Sequence, residues 1–172
     1  MSLKKIVVLP LIVAVLAFCI QIIDQLLIPL MKPFPNNGFC WIAFQAWAVY
    51  FLAGGNIKGG IKSLIGYAIG IGASILIFNL SGVFGFLGYF GVAAAVGLVA
   101  CALLFLENTT WLNFIPAMFI GAGAFFAFMN YVPGAKYQYA SITEIIYCIL
   151  GLFFGFATLS LKAFFDKKLN GS

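Results

Sequence analysis

Few polar side chains interrupt the apolar stretches of this sequence, and the most distinctive group of them ends the first stretch. Gln21, Asp24 and Gln25 recur at helical spacing and therefore share one face of a helix. Inside a membrane-spanning helix a carboxylate is costly, so it normally faces a cavity or a partner. The group is a candidate for binding a polar solute in an outer vestibule. The alternative is that the helix has ended by Asp24 and that its carboxylate is solvated.

A second candidate is Gln45, a single amide in the aromatic stretch from Phe39 to Ala53. The surrounding rings recur at helical spacing: Trp41, Phe44, Trp47, Tyr50 and Phe51. The stretch is shorter than the roughly 20 apolar residues of a straight span and breaks at glycines, so we expect it to line a pathway. Gln45 would then hydrogen-bond a solute that the rings confine. Alternatively, the amide joins two helices and the rings pack against lipid or core.

Three further residues complete the predicted solute pathway. Glu144 is expected to begin the last span on the outer side, where it would favour cations at the outer mouth or simply stabilise the first turn of the helix. Pro116 is expected to kink the fifth span near its start and free a carbonyl group. Asn130 is expected to follow the end of that span, where it caps the helix or closes the pathway.

The residue inventory argues against enzymatic chemistry. The sequence contains no histidine and no arginine, and it has no acid pair, phosphate-binding loop or metal-ligand cluster. Its four cysteines lack CxxC spacing and are interpreted as small buried apolar side chains. We therefore predict no catalytic residue, no metal site and no cofactor.

The composition predicts one integral membrane domain over residues 1–172. Hydrophobic residues make up 65% of the chain and charged residues 8%, with a mean hydropathy of +1.15, whereas soluble domains carry about 25% charged residues. The net charge of +5 comes from lysines near the predicted helix ends. This distribution suits a lipid bilayer as partner and argues against nucleic acid.

Apolar stretches and their breakers predict an all-α fold with six transmembrane helices. The predicted spans cover residues 6–29, 39–53, 61–80, 83–106, 111–129 and 142–165. Ser81-Gly82 is expected to form the tight turn between the third and fourth spans. Cytoplasmic termini would place seven lysines inside and only Lys32 and Lys136 outside. Each half has a short or broken middle span, which suggests two inverted three-helix repeats; the alternative is that any six-span chain divides into threes.

Two motifs resemble a known family. The first is WxxFxxWAxYFxxGG, from Trp41 to Gly55, followed by a GxxK entry into the next helix. The second is FIPAMFIGAGAFFA, from Phe114 to Ala127. Together they resemble the small inner-membrane proteins grouped as domain of unknown function 1097. The resemblance implies a multi-pass protein of the bacterial inner (cytoplasmic) membrane, but no substrate. The first outer loop, within residues 21–37, departs most from the family pattern.

The leading functional hypothesis is a channel or facilitator for a small neutral or weakly charged solute. Its basis is the scarcity of buried charge together with glycine-rich helices and an aromatic-amide lining. A proton- or sodium-coupled secondary transporter is the alternative, with Asp24 as the group that would bind the ion. A non-transport subunit of a larger membrane complex is the third possibility. A homo-oligomer is expected for each of these, because glycine faces need a partner.

Overall fold

A computed structural model describes residues 3–30 and 38–170, and the backbone of these residues forms helices but no strand. The all-α class is thereby confirmed. The described residues contain six α-helices: α1 (Leu3–Leu27), α2 (Cys40–Leu52), α3 (Ile57–Val83), α4 (Phe90–Leu104), α5 (Ile115–Tyr131) and α6 (Tyr137–Asn170). One-turn 3-10 helices follow α1, α3 and α4. The predicted outer loop with Lys32 lies in residues 31–37, outside the described part.

Four helical stretches are long and apolar enough to cross a membrane: Ile6–Leu30, Ile57–Leu87, Phe90–Asn108 and Tyr137–Leu169. The other two helices are apolar but shorter, with 13 residues in α2 and 17 in α5. At 1.5 Å per residue, α2 is about 20 Å long and α5 about 26 Å, against a hydrocarbon layer of about 30 Å. The described helices therefore include four of spanning length and two short ones.

Local breakers end some helices and not others. After α2, Gly54 and Gly55 adopt positive φ angles of 91° and 63°, and Asn56 caps α3 by accepting a 2.9 Å hydrogen bond from the Gly59 amide. The predicted turn at Ser81-Gly82 is wrong, because both residues lie inside α3. The Ser81 hydroxyl donates back to the Ile77 carbonyl at 2.7 Å, which is compatible with a continuous helix.

Two of the predicted pathway residues occupy helix positions other than those expected. Pro116 is the second residue of α5, where its missing amide proton costs no helical hydrogen bond, so the predicted kink is wrong. Asn130 lies inside α5 and donates to the Phe126 carbonyl at 2.9 Å, rather than following the helix. Both side chains are exposed.

The core is built on two pairs of closely packed helices, and the first pair is α3 with α5. A Cβ atom added at Gly66 would lie 2.6 Å from the Ala117 Cβ, and one at Gly70 would overlap the Met118 carbonyl. One turn further along, the Ser74 hydroxyl donates to the Ala122 carbonyl at 3.2 Å. Because the residue numbers rise together on both helices, α3 and α5 are parallel.

The second pair is α2 with α6, and it uses the other glycine motif. A Cβ atom at Gly155 would lie 2.6 Å from the Tyr50 Cβ, and one at Gly151 would overlap the Ala43 carbonyl. These two helices are also parallel. Both Gly-x-x-x-Gly motifs of the long helices are therefore used within the chain, where they let backbones approach closely.

We expect Gly70→Ala to destabilise the protein by about 1–3 kcal/mol, because the new methyl group would overlap the backbone of α5. Gly72→Ala is the matched control on the same helix, since nothing lies within 4 Å of its added Cβ. This control should be neutral or stabilising by up to about 1 kcal/mol. Unfolding in mixed detergent micelles, followed by tryptophan fluorescence, measures both. Equal stability of the two variants would contradict the packing described for α3 and α5.

Candidate functional site

The most unusual side chain in the described structure is Glu144. It is the eighth residue of α6, not part of the first turn as predicted, because α6 begins at Tyr137. The residue is 0% exposed, and neither carboxyl oxygen has a hydrogen-bond partner among the described residues. The first-turn explanation of this residue is therefore wrong, and stabilisation by the helix end does not account for its burial.

Three helices enclose the Glu144 carboxyl group. A Cβ atom added at Gly121 of α5 would lie 3.3 Å from Glu144 Oε1 and 2.8 Å from the Tyr67 Cα of α3. The absent side chain of Gly121 thus allows α3, α5 and the carboxyl group of α6 to meet at one point. Any larger residue at position 121 would fill the space between them.

Tyr67 and Cys148 complete a buried ionisable group, which we call the Glu144 cluster. Both are 0% exposed, and within the described part of the chain the Tyr67 hydroxyl, like the carboxyl group, has no hydrogen-bond partner. Cys148 lies one helical turn after Glu144 on α6, and the Tyr67 backbone and the Glu144 carboxyl group meet at Gly121. Nearly all buried polar atoms in native proteins are paired, so two adjacent unpaired groups call for a physical explanation.

Aromatic rings pack around the same three helices. Phe125 lies one turn along α5 from Gly121, and Tyr137 lies two turns before Glu144 on α6. Their ring centroids are 5.9 Å apart, and Phe78 of α3 lies 5.8 Å from the Tyr137 ring. These rings form an aromatic layer toward the N-terminal end of α6. The sequence pattern predicted such a group in α2 but did not indicate this one, because its members come from three helices.

Asp24 lies at a different junction and is almost completely buried, with 1% exposure. Its Oδ1 atom accepts hydrogen bonds from the Tyr147 hydroxyl at 2.7 Å and from the Phe39 amide at 3.0 Å. Gln21 donates to Oδ2 at 3.3 Å. The carboxylate thus links α1, the start of α2 and α6. It is not solvated, and Gln25, the third member of the predicted group, is exposed.

The α2 side chains predicted to line one pathway point to different sides of the helix. Gln45 is exposed, Trp41 is half-buried, and Trp47 and Tyr50 are buried. Trp47 packs toward α6, with its ring centroid 5.7 Å from that of Phe154, and no residue in ranges 3–30 and 38–170 pairs with its indole nitrogen. The structure therefore does not bring these four side chains together.

The four cysteines differ in how far they are buried. Cys40 and Cys148 are buried, as predicted for small apolar side chains. Cys19 is half-buried, and Cys101 is exposed on α4, so burial does not extend to all four.

The model of the family described as Protein of unknown function (DUF1097) matches residues 8–162. The chain belongs to this family. The predicted resemblance is confirmed, and the match includes the outer-loop sequence that departs most from the expected pattern. No curated protein and no solved structure matches this DUF1097 chain.

Within this DUF1097 fold, sequence reasoning found Glu144 but missed Tyr67 and Cys148. Tyr67 follows Gly66 directly, and Cys148 precedes Gly151 by three residues. Polar side chains beside the glycines of a close helix contact are the signal that could have identified both, because these positions face a neighbouring backbone.

We expect Tyr147→Phe to lower the free energy of unfolding by about 1–3 kcal/mol, since Asp24 would lose its shortest hydrogen bond in a buried position. Tyr131→Phe is the matched control, because Tyr131 is 84% exposed. The detergent unfolding measurement described above distinguishes them. A stability loss no larger than that of the control would mean that the Asp24 junction does not hold α1 against α6.

Proposed function

We propose that the protein is a secondary transporter of the bacterial inner membrane, in which a small solute moves together with a proton that binds Glu144. The observation that carries the proposal is the fully buried carboxyl group, with which no polar group of the described residues forms a hydrogen bond. Ionisable residues inside membrane proteins are rare, and they commonly mark proton relays and ion pathways. This residue replaces Asp24 as the coupling group, because the Asp24 oxygens are already engaged by the protein.

The surroundings of Glu144 favour a proton over a sodium ion. An ionised carboxylate without a partner is costly in a buried site, and a proton removes its charge at once. Hard metal cations instead take several oxygen ligands. The ionisable neighbours of Glu144 are the phenol of Tyr67 and the thiol of Cys148. A thiol and one phenol oxygen do not supply the several oxygen ligands that a hard metal cation needs.

The packing of the helices supports an inverted-repeat architecture, which we propose together with the transport function. The two most extensive helix contacts are α3–α5 and α2–α6. Exchanging α1 with α4, α2 with α5 and α3 with α6 converts the first of these contacts into the second. The shift in numbering that carries Gly66 onto Gly151 also carries Gly70 onto Gly155. The partners also correspond: Gly66 contacts Ala117 near the start of α5, and Gly151 contacts Ala43 near the start of α2.

The correspondence extends to the polar contacts near the starts of the two short helices. The same shift carries Lys62 of α3 onto Tyr147 of α6. Lys62 donates a 2.8 Å hydrogen bond to Asn113, which lies just before α5. Tyr147 donates to Asp24, and Asp24 also accepts a hydrogen bond from the Phe39 amide, which lies just before α2. In inverted-repeat transporters the binding site lies near the bilayer midplane, where the repeats meet. Here Glu144 and Tyr67 stand on α6 and α3, the two long helices that the exchange relates.

The channel hypothesis receives less support from the geometry. One part of its basis was a shared lining by the α2 side chains, and Gln45 is exposed while Trp47 and Tyr50 pack toward α6. A channel and a non-transport subunit are retained as outcomes of the experiment below.

We expect Glu144→Gln to reduce proton-driven accumulation of the solute in proteoliposomes at least tenfold, because a neutral amide cannot bind and release the proton. Solute exchange without a proton gradient should persist. The panel is water, urea, glycerol, formamide, ammonium and short carboxylates, each with and without an imposed gradient. Glu107→Gln is the matched control, since Glu107 is an exposed carboxylate in the turn after α4.

The outcomes separate the three functions. Fast flux that ignores the gradient and survives Glu144→Gln would indicate a channel, and absence of flux under every condition would favour a subunit that needs a partner. A direct readout of the carboxyl group is independent of the solute. Infrared difference spectra should contain a carboxyl band that responds to pH and disappears in Glu144→Gln. A band that persists in this variant would show that the proton binds elsewhere.

A further inference from the structure

The outer face of α2 carries an amide that the described part of the chain does not satisfy. Five residues of this helix are exposed, and they lie on one side of it: Phe44, Gln45, Ala48, Phe51 and Leu52. We call them the α2 face. Four of its side chains are apolar, whereas Gln45 has no hydrogen-bond partner among the described residues. Within the lipid-exposed surface of a membrane protein, such an amide is unfavourable.

Helix packing places Gln45 beside the middle of α6. The neighbouring residues Ala43 and Ala46 pack against Gly151 of α6. Gly151 stands near the middle of a helix of 34 residues, roughly 20 Å along the axis from one end and 30 Å from the other. Gln45 therefore lies beside the middle of the longest helix, and we place it within the apolar layer on that ground.

We infer that the α2 face binds the same face of a second copy of the chain, with the two Gln45 amides hydrogen-bonded to each other across a twofold axis. A carboxamide carries both donors and an acceptor, so two copies satisfy each other without any other polar group. Ala48 is a small residue one turn away and permits close approach, while Phe44 and Phe51 flank the contact. A lipid chain could cover the apolar residues but could not satisfy the amide.

This interface differs from the one that the sequence suggested. The glycine faces expected to need a partner are occupied within the chain, Gly66 and Gly70 by α5 and Gly151 and Gly155 by α2. The inference is also independent of the proposed transport function, because Gln45 belongs to α2 while the Glu144 cluster lies among α3, α5 and α6.

The test is the monomer–dimer equilibrium of the full chain in liposomes. Subunits are counted by single-molecule photobleaching while the lipid-to-protein ratio is increased. We expect the wild type to dimerise reversibly and Gln45→Leu to weaken dimerisation about 3- to 30-fold, the range for one interhelical polar contact in a membrane. Gln45→Asn should retain part of the affinity. Asn79→Leu, which removes an exposed amide from α3, should change nothing.

Disulfide crosslinking identifies the face directly. Ala48→Cys, combined with Cys101→Ala to remove the exposed native thiol of α4, should yield a crosslinked dimer under mild oxidation. The native Cys101 in an otherwise wild-type chain should yield less. A wild type that stays monomeric at all densities, an unchanged equilibrium in Gln45→Leu, or preferential crosslinking through Cys101 would each overturn the interface.

Discussion

The close approach of helix backbones at glycine is the constraint on which the rest of the structure depends. Lipid provides little hydrophobic driving force between helices, so their association relies on van der Waals packing and on hydrogen bonds. Here, α5 lies against Gly66 and Gly70 of α3, and α2 lies against Gly151 and Gly155 of α6. At Gly121 the same principle shapes the candidate site, since a missing side chain leaves room for the Glu144 carboxyl group.

The sequence predicted the helical elements better than their ends. Apolar runs identify the helices because transfer of a long apolar stretch into the bilayer is favourable and requires a helix of that length. Helix ends depend on local hydrogen bonds that composition does not reveal. Ser81 looked like part of a turn, yet its hydroxyl bonds within the helix, and α6 begins at Tyr137, so that Glu144 lies deeper than predicted. The break after α2 was predictable because Gly54 and Gly55 adopt backbone angles that favour glycine.

The candidate site was only partly predictable, for a different reason. Residue type indicated both Glu144 and Asp24 as candidates. Whether each carboxyl group is hydrogen-bonded, however, depends on distant parts of the chain. Asp24 is satisfied by Tyr147, which lies 123 positions later, whereas Glu144 meets only groups that do not pair with it. The orientation of Gln45 was not predictable at all, because a helix that is apolar on every side gives no indication of which side faces the core.

The hydrogen bond between Asp24 and Tyr147 also has a consequence for biosynthesis. The donor is translated 123 residues after the acceptor, and synthesis proceeds at about 5–20 residues per second, so the carboxylate waits roughly 6–25 s for its partner. During that interval α1 lacks its link to α6. The hydrogen bond that joins α1 to α6 is thus among the last contacts of α1 that synthesis can complete, whereas the bonds from Gln21 and the Phe39 amide can form earlier.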